Sequence, residues 1–397
     1  MKLKKSLTVL LAIVMIFLFA GYSYADARGV TEDSVKLGLV IAVTGPSGVL
    51  AKPLIEALQD YFGYINDQGG VNGRKISMVI EDDQNKAPKS VAAVNKLIHR
   101  DKVLTIMTTG GSNQTIANFK NIEKFKITNV PNGLMDEFYE PYKKYVFPYG
   151  CPYNAQFRCM VDYLYNDLKV KNPRIGVVYA KKEYGKLGLK ATRERVEAYG
   201  GKLACELVLP LGSVDASSQV LTLQKNKVDY VITCLVLPAI VPLLKTYQKY
   251  NYNPKATFGF VFSMDPLLLA MVGDAAKSYI GATFMGTWTS DDPGIRLARE
   301  LAKKNNRKIG LKTQYLHGLG YGMIFVEAIK RAGKNLNPDS LQKAFETFRN
   351  FETGGIWTPL TYTSKSHKPP ELIRFFKPDL QNKNFNQVTD WRGPRDM

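Results

Sequence analysis

The stretch "VLTIMTTGGSNQTIA", Val103 to Ala117, decides how the rest of this 397-residue chain is read. Val103 to Met107 is a strand-like apolar run. Two glycines and a serine end it, and a helix begins at once. Glycine lets the backbone turn sharply and approach a partner closely. The first turn of a helix leaves its N–H groups unpaired and carries the positive end of the helix dipole. Strand, glycine turn and helix start therefore make a nest of free donors around Thr109 to Asn113. Three occupants suit such a nest: a phosphate, a substrate at a catalytic centre, or a molecule that the protein only carries.

The same grammar surrounds it. "VKLGLVIAV" (Val35 to Val43) reads as a buried strand. The loop "TGPSG" (Thr44 to Gly48) follows it, and Leu54, Ile55, Leu58, Phe62 and Ile65 then recur at helical spacing. "NDQGGVNG" stops that helix. "RKISMVIED" (Arg74 to Asp82) is a second strand, and "APKSVAAVNKLIHR" a second helix with Val91, Val94 and Ile98 on one face. "ITNV" (Ile127 to Val130) reads as a short fourth strand. The rhythm resumes after Pro173. "RIGVVYA", "KLACELVLP", "VDYVITCLV" and "ATFGFVF" are strands separated by helical segments. Alternation of this kind means βαβ units with parallel sheets covered on both faces. The expected fold is α/β, with two doubly wound, Rossmann-like lobes built from blocks at roughly 30–149 and 150–286. The tail differs: three helices, then "GGIWTPLTYT" and "ELIRFFKPD" as late strands. It is expected to cross back between the lobes and supply more than one hinge strand.

The first residues point to export. "MKLKK" is a basic n-region, and "SLTVLLAIVMIFLFAG" (Ser6 to Gly21) is an apolar core short of the roughly 18–20 residues a membrane span needs. "YSYADA" follows with small residues, so a signal peptide cleaved after Ala25 or Ala27 is expected, with no lipid-anchoring cysteine. The mature product is then expected to be exported. The formal charge is +19. Removing Lys2, Lys4 and Lys5 from that leaves about +16. Lysine and arginine are spread evenly without the aromatic–basic interleaving of a nucleic-acid module, so nucleic acid is not an expected partner. Cys151, Cys159, Cys205 and Cys234 lack CxxC spacing, and His99, His317 and His367 stand far apart; neither a metal nor a cofactor is expected. Cys205 and Cys234 read as buried thiols, while export leaves a Cys151–Cys159 bridge open.

In open parallel sheets, ligands sit beyond the carboxyl ends of the strands. Three small polar loops leave such ends in the first block: Thr44–Gly48, Thr109–Asn113 and "PNGLM" (Pro131 to Met135). They are either tight turns with caps or a ligand floor. Ser112 either caps its helix or offers its hydroxyl. Neither the P-loop pattern nor GxGxxG occurs in these loops. "GLGYG" (Gly318 to Gly322) lies within a helical run and reads as a packing face. "TGPSG" is not the GxSxG elbow, and no serine, histidine and acid come together. Asp82–Asp83 and Asp291–Asp292 read as turn caps before general acids. The nest is expected to hold a carboxylate or amide without chemistry upon it.

The residues carry a resemblance. "VKLGLVIAVTGPSG", "INDQGGVNGRKISMVIEDDQNKAPKSVAAVNKLI" and "IMTTGGSNQTIA", then "IGVVYAKKEYGKLG", "VDYVITCLVLPAIVPLLKTY" and "IGATFMGTWTSDDPG", resemble the periplasmic leucine/isoleucine/valine-binding protein family in order over most of the chain. These are type I solute receptors of ABC importers. The resemblance implies two lobes on a three-strand hinge, 28–149 with 287–355 and 150–286 with 356–397, closing over a small ligand. It implies that Gly111, Ser112, Asn132, Gly133 and Leu134 grip a carboxylate, that Ser47 and Leu50 line the same mouth, and that Tyr184 covers the ligand. It implies an inner-membrane permease as partner. Members that bind aliphatic amino acids hold the ammonium with an acid after a second-lobe strand. Phe262 takes that place here, and Asp265 reaches it only by rearrangement. Leu50 stands where an aromatic is expected, and Leu237 replaces a residue often aromatic or polar. An ammonium buried without a partner is costly, so an apolar or aromatic acid, or an amide, fits better than a standard amino acid. Trp288 is either core or a ligand-facing hinge aromatic. The alternatives are a sensor of the same fold feeding a signalling partner and, without a nucleophile–base set, a secreted hydrolase.

Overall fold

Two sheets, each parallel at its heart, organise the molecule. The computed structural model describes residues 28–45 and 47–396; the leader expected at the N-terminus lies outside them. The first sheet has three parallel strands in the order β2–β1–β3: β1 Ser34–Ile41, β2 Lys75–Asp82 and β3 Thr105–Thr109. Leu37 and Leu39 face one side of β1, Gly38 and Val40 the other, and the leucines and Val40 are fully buried. A strand covered on both faces needs this near-continuous apolar run. Helices α1 Gly48–Asp67 and α2 Ala87–His99 make the crossovers.

The stretch "ITNV" lies beside β3 without becoming a strand. Val130 donates its N–H to Met107 O at 2.8 Å, and Asn129 forms a single parallel bridge to Val146. Pro131 follows at once and has no N–H to continue the ladder.

The second sheet has seven strands in the order β10–β9–β8–β7–β6–β4–β5. β4 Ile175–Tyr179, β5 Leu203–Val208, β6 Tyr230–Cys234, β7 Ala256–Gly259 and β8 Tyr279–Thr283 run parallel; β9 Arg374–Asp379 and β10 Asn384–Gln387 add an antiparallel edge. "ELIRFFKPD" thus supplies a strand as its pattern suggests. "GGIWTPLTYT" does not: it makes only isolated bridges, Trp357 to Met285 and Leu360 to Phe351. Gly354 and Gly355 sit at φ 62° and 85°, and Pro359 lacks a donor, so no regular ladder forms.

The tail connects the two halves. Helix α11, Lys312–Ala332, packs along α1. The "GLGYG" glycines make that approach: a Cβ at Gly318 would lie 2.2 Å from Leu54 O, and one at Gly322 would lie 2.6 Å from the Tyr61 ring. Asp60 of α1 locks the same corner. It accepts from both Nε and Nη2 of Arg307 and from the Tyr315 hydroxyl at 2.7 Å. The chain passes between the sheets three times: after Tyr149, after Phe284, and on the way from Ile356 to β9. At these passages the strands nearly touch. Gly286 donates to Ile356 O at 3.0 Å, and a Cβ on Gly150 would lie 2.2 Å from the Phe284 ring.

Cys151 and Cys159 are separate buried thiols. Helix α5, Tyr153–Asp162, puts about two turns between them, further apart than a disulfide reaches. Cys234 is buried and Cys205 half-buried on the edge strand β5.

Candidate functional site

The carboxyl ends of β1, β2 and β3 face those of β4, β6 and β7 across a cavity of about 220 Å³. Each wall is made by the loops that follow strands, because a βαβ unit sends every connection back over the same edge.

On the first wall, the turn Gly110–Gly111 does what its sequence requires. Gly110 sits at φ 97°, in the region glycine tolerates. Helix α3, Ser112–Ala117, starts immediately after. Among the described residues, Gly111, Ser112 and Asn113 donate their backbone N–H groups to no protein acceptor, and the first turn of the helix lines the cavity. Asp82 shapes the loop beside them. Its carboxylate accepts the Val43 N–H at 2.9 Å, the Gln84 N–H at 2.9 Å and the Thr44 hydroxyl at 2.5 Å. Burial pushes the Asp82 carboxyl up, but the Thr44 hydroxyl and these N–H groups together hold it below the usual carboxylate range. Asp82 is thus a turn organiser.

Seven of the ten residues singled out from sequence line the cavity: Ser47, Leu50, Gly111, Ser112 and Asn132 on the first wall, Tyr184 and Phe262 on the second. Gly133, Leu134 and Leu237 do not. Gly133 passes behind Ser112; a Cβ there would be 2.4 Å from Ser112 Oγ. Leu134 points into the core and offers its carbonyl to the Tyr153 N–H at 2.8 Å. Leu237 opens helix α8, Leu237–Lys249, and is buried in the second core, so its neighbour Val236 reaches the wall instead. Asp265 is turned away: it caps helix α9, Pro266–Val272, through the Leu267 N–H and accepts the Thr313 N–H at 2.8 Å. Trp288 packs edge-on against Tyr315, 6.0 Å between centroids, outside the cavity.

Several wall residues carry no signal in a linear reading. Tyr153 enters from the first passage between the sheets, and Gln314 from α11. Lys182 stands on the second wall at the start of helix α6, Glu183–Ala198. The amides form a chain: Gln114 Nε2 donates to Asn85 Oδ1 at 2.7 Å, and Asn85 Nδ2 to Ser47 Oγ at 3.1 Å. This ties together the loops after β1, β2 and β3. Asp83 is fully buried beside them, and burial, aided by the neighbouring Asp82 charge, pushes its carboxyl up to about 6.

The second wall is mostly apolar. Tyr184 stacks on Phe260 at 6.0 Å, and its hydroxyl has no partner among the described residues; burial pushes that phenol upward. Phe262 stacks on the buried His317 at 5.6 Å, and burial lowers that imidazole to about 3, so it is neutral. One wall therefore offers hydrogen-bond donors, the other apolar cover. No nucleophile with an adjacent base lies among the lining residues.

Comparison with known proteins bears on the family and the fold. Among curated relatives, Leu/Ile/Val-binding protein homolog 1 of Brucella abortus (strain 2308) is 24% identical over 370 residues, covering 91% of this chain and 93% of its own. Homolog 7 of Brucella suis biovar 1 is 25% identical over 313 residues, covering 74% and 75%. A fatty acid ABC transporter substrate-binding protein from Thermomonospora curvata superposes with a TM-score of 0.83 at 26% identity, over 92% of this chain and 94% of that one. A branched chain amino acid ABC transporter protein from Thermus thermophilus, solved with bound valine, gives 0.84 at 21%, over 91% and 97%. These solved folds are type I periplasmic binding proteins, and this chain shares their architecture. The family model for periplasmic binding proteins matches residues 34–384. With a match of that extent, the protein belongs to the periplasmic binding protein family.

Proposed function

We infer that the chain is the exported substrate-binding protein of an ABC importer, which captures a small carboxylate or amide and hands it intact to an inner-membrane permease. The ligand class comprises amino acids and apolar or aromatic acids. One observation carries the reading: the N–H groups of 111–113, without an acceptor among the described residues, belong to the lining of a cavity whose opposite wall is mostly apolar. A carboxylate with an apolar body is complementary to both walls. Fatty acids and valine, named for two of the structural neighbours, share that description.

In this reading residues 1–25 are a signal peptide and the protein works in the periplasm. The lobes 28–149 with 287–355 and 150–286 with 356–397 close about the three passages. Ser112, Gly111 and Asn132 hold the carboxylate, Ser47 and Leu50 border it, and Tyr184 and Phe262 cover the body. Gly133, Leu134 and Leu237 support these contacts from behind. Ligand biases an open–closed equilibrium by binding the closed form better, and no bond is made or broken.

A thermal-shift screen over amino acids, short fatty acids, benzoate-type acids and amides tests this. A true ligand at about 100 times its Kd is expected to add about 2.7 kcal/mol of stability and to be recovered unchanged. No shift with any small acid or amide, or turnover of the one that binds, overturns the reading.

A further inference from the structure

One polar side chain of the cavity has nothing in the protein to hold. Gln314 is only 6% exposed, yet its amide makes no hydrogen bond among the described residues. It is not sealed in. The residue belongs to the cavity lining, and neither its nitrogen nor its oxygen is among the unpartnered atoms shut off from the surface. The other amides of the lining are spent on each other: Gln114 donates to Asn85 and Asn85 to Ser47. Gln314 takes no part in that chain.

The residues on either side of it are tied down. The Thr313 N–H donates to Asp265 Oδ2 at 2.8 Å, and the Thr313 hydroxyl donates to Met264 O at 2.9 Å. Tyr315 donates its hydroxyl to Asp60 of α1 at 2.7 Å. The start of α11 is thus fastened to both halves of the molecule, and it carries the Gln314 amide to a set point. One turn further on, His317 stacks on Phe262 at 5.6 Å, and Gly318 packs against Leu54 of α1. Residues three and four apart share a helix face. Gln314 therefore emerges where the lining is apolar, with Leu50 and Ala51 from α1 and Phe262 from the second wall. The N–H nest comes from other segments, the loops after the strands of the first sheet.

A molecule held at the nest by its carboxylate lays its body along this apolar lining. A hydrocarbon body that covers the amide takes away its water and returns no partner, which is unfavourable. A hydroxyl or carbonyl on the body pairs with it instead. A site that carries a buried hydrogen-bonding group discriminates strongly against analogues that lack the matching one.

Resting on the capture reading, we propose that Gln314 is a specificity-determining residue of the cavity. It reads an uncharged hydroxyl, carbonyl or amide on the body of the ligand, away from the end that the nest holds. The preferred ligands are acids that bear such a second polar group, ahead of hydrocarbon acids of the same length.

Calorimetric titration of the full chain at pH 7.5 tests this with two matched pairs: 3-(4-hydroxyphenyl)propanoate against 3-phenylpropanoate, and 6-hydroxyhexanoate against hexanoate. The wild-type protein is expected to bind at least one hydroxylated acid about tenfold or more tightly than its plain partner. Gln314→Leu, close in size but apolar, is expected to bring that ratio to about twofold or less while keeping or improving the plain acid's affinity, which also shows that the variant is folded. Plain acids that bind wild-type protein as tightly as their hydroxylated partners overturn the proposal, and this needs no variant. So does a Gln314→Leu protein that keeps the preference or loses both members of a pair equally. Failure of all four compounds to bind wild-type protein overturns the capture reading for this ligand class, and with it the proposal.

Discussion

Ser112 keeps its place at the cavity floor because residue 133 has no side chain. A methyl group at Gly133 would fall 2.4 Å from Ser112 Oγ, so Gly133→Ala must displace the hydroxyl. The expected result is a ligand affinity lowered about tenfold, the worth of one hydrogen bond, with the melting temperature of the free protein shifted by far less than a core substitution would cause; calorimetry beside a thermal melt checks both. Asp83 makes a second expectation at this scale. Its folded pKa, about 6, lies above its ordinary value of 3.8, so the folded protein holds that proton more tightly than the unfolded chain does. The stability this supplies is complete below about pH 4 and is lost as pH rises through about 6, amounting to at most about 3 kcal/mol. Asp83→Asn removes the dependence. The ligand-free variant should gain stability over wild type in urea at pH 7.5 and gain little or nothing at pH 4.5. A difference equal at both pH values would show that the carboxyl is not perturbed.

At the scale of elements, the packing of α1 on α11 and the ion pair beneath α6 carry the load. Gly318→Ala forces a methyl group to within 2.2 Å of Leu54 O. Overpacking of this kind costs about 1–3 kcal/mol, which denaturant titration should detect; a neutral result would mean the helices part freely. In the second half, Asp162 takes Arg195 in a two-point pair at 2.6 and 2.8 Å, accepts the Tyr199 hydroxyl at 2.8 Å, and receives the Arg395 N–H at 2.9 Å. Both charges are buried. Removing one partner of such a pair costs about 3–5 kcal/mol because the other is left uncompensated. Asp162→Ala is expected to lose that much and to loosen the C-terminal segment, seen as faster amide exchange after Trp391. Strands and helices of this kind were legible from local pattern: β1, β4 and β6 are apolar runs, and α1 and α11 repeat at helical spacing. "ITNV" and "GGIWTPLTYT" were not, since proline and glycine break a ladder that their β-branched and aromatic residues otherwise suit.

For the whole molecule, the three passages between the sheets allow relative movement of the halves. Glycine lets them run close: Gly150 lies under Phe284, and Gly286 against Gly355. On the proposed mechanism, X-ray scattering should show a smaller radius of gyration with ligand than without. Gly355→Ala, strained at φ 85° and 2.3 Å from the Asp292 Cβ, should blunt that change or destabilise the fold. Identical scattering with and without a saturating ligand would remove hinge closure from the account.

Local pattern along the chain was enough for the alternation of strand and helix, the two blocks with parallel strands, the glycine turn at 110–111 and the packing face at 318–322. Each of these rests on spacing within one segment, where periodicity and backbone freedom act locally. The rest of the cavity's membership came only with the assembled fold. Tyr153 and Gln314 arrive there from distant segments, Val236 displaces Leu237 by one residue at a helix start, and Asp83 Oδ2, without a hydrogen-bond partner among the described residues, packs against Gly110. Burial and pairing are properties of the assembled neighbourhood, and no local pattern encodes them.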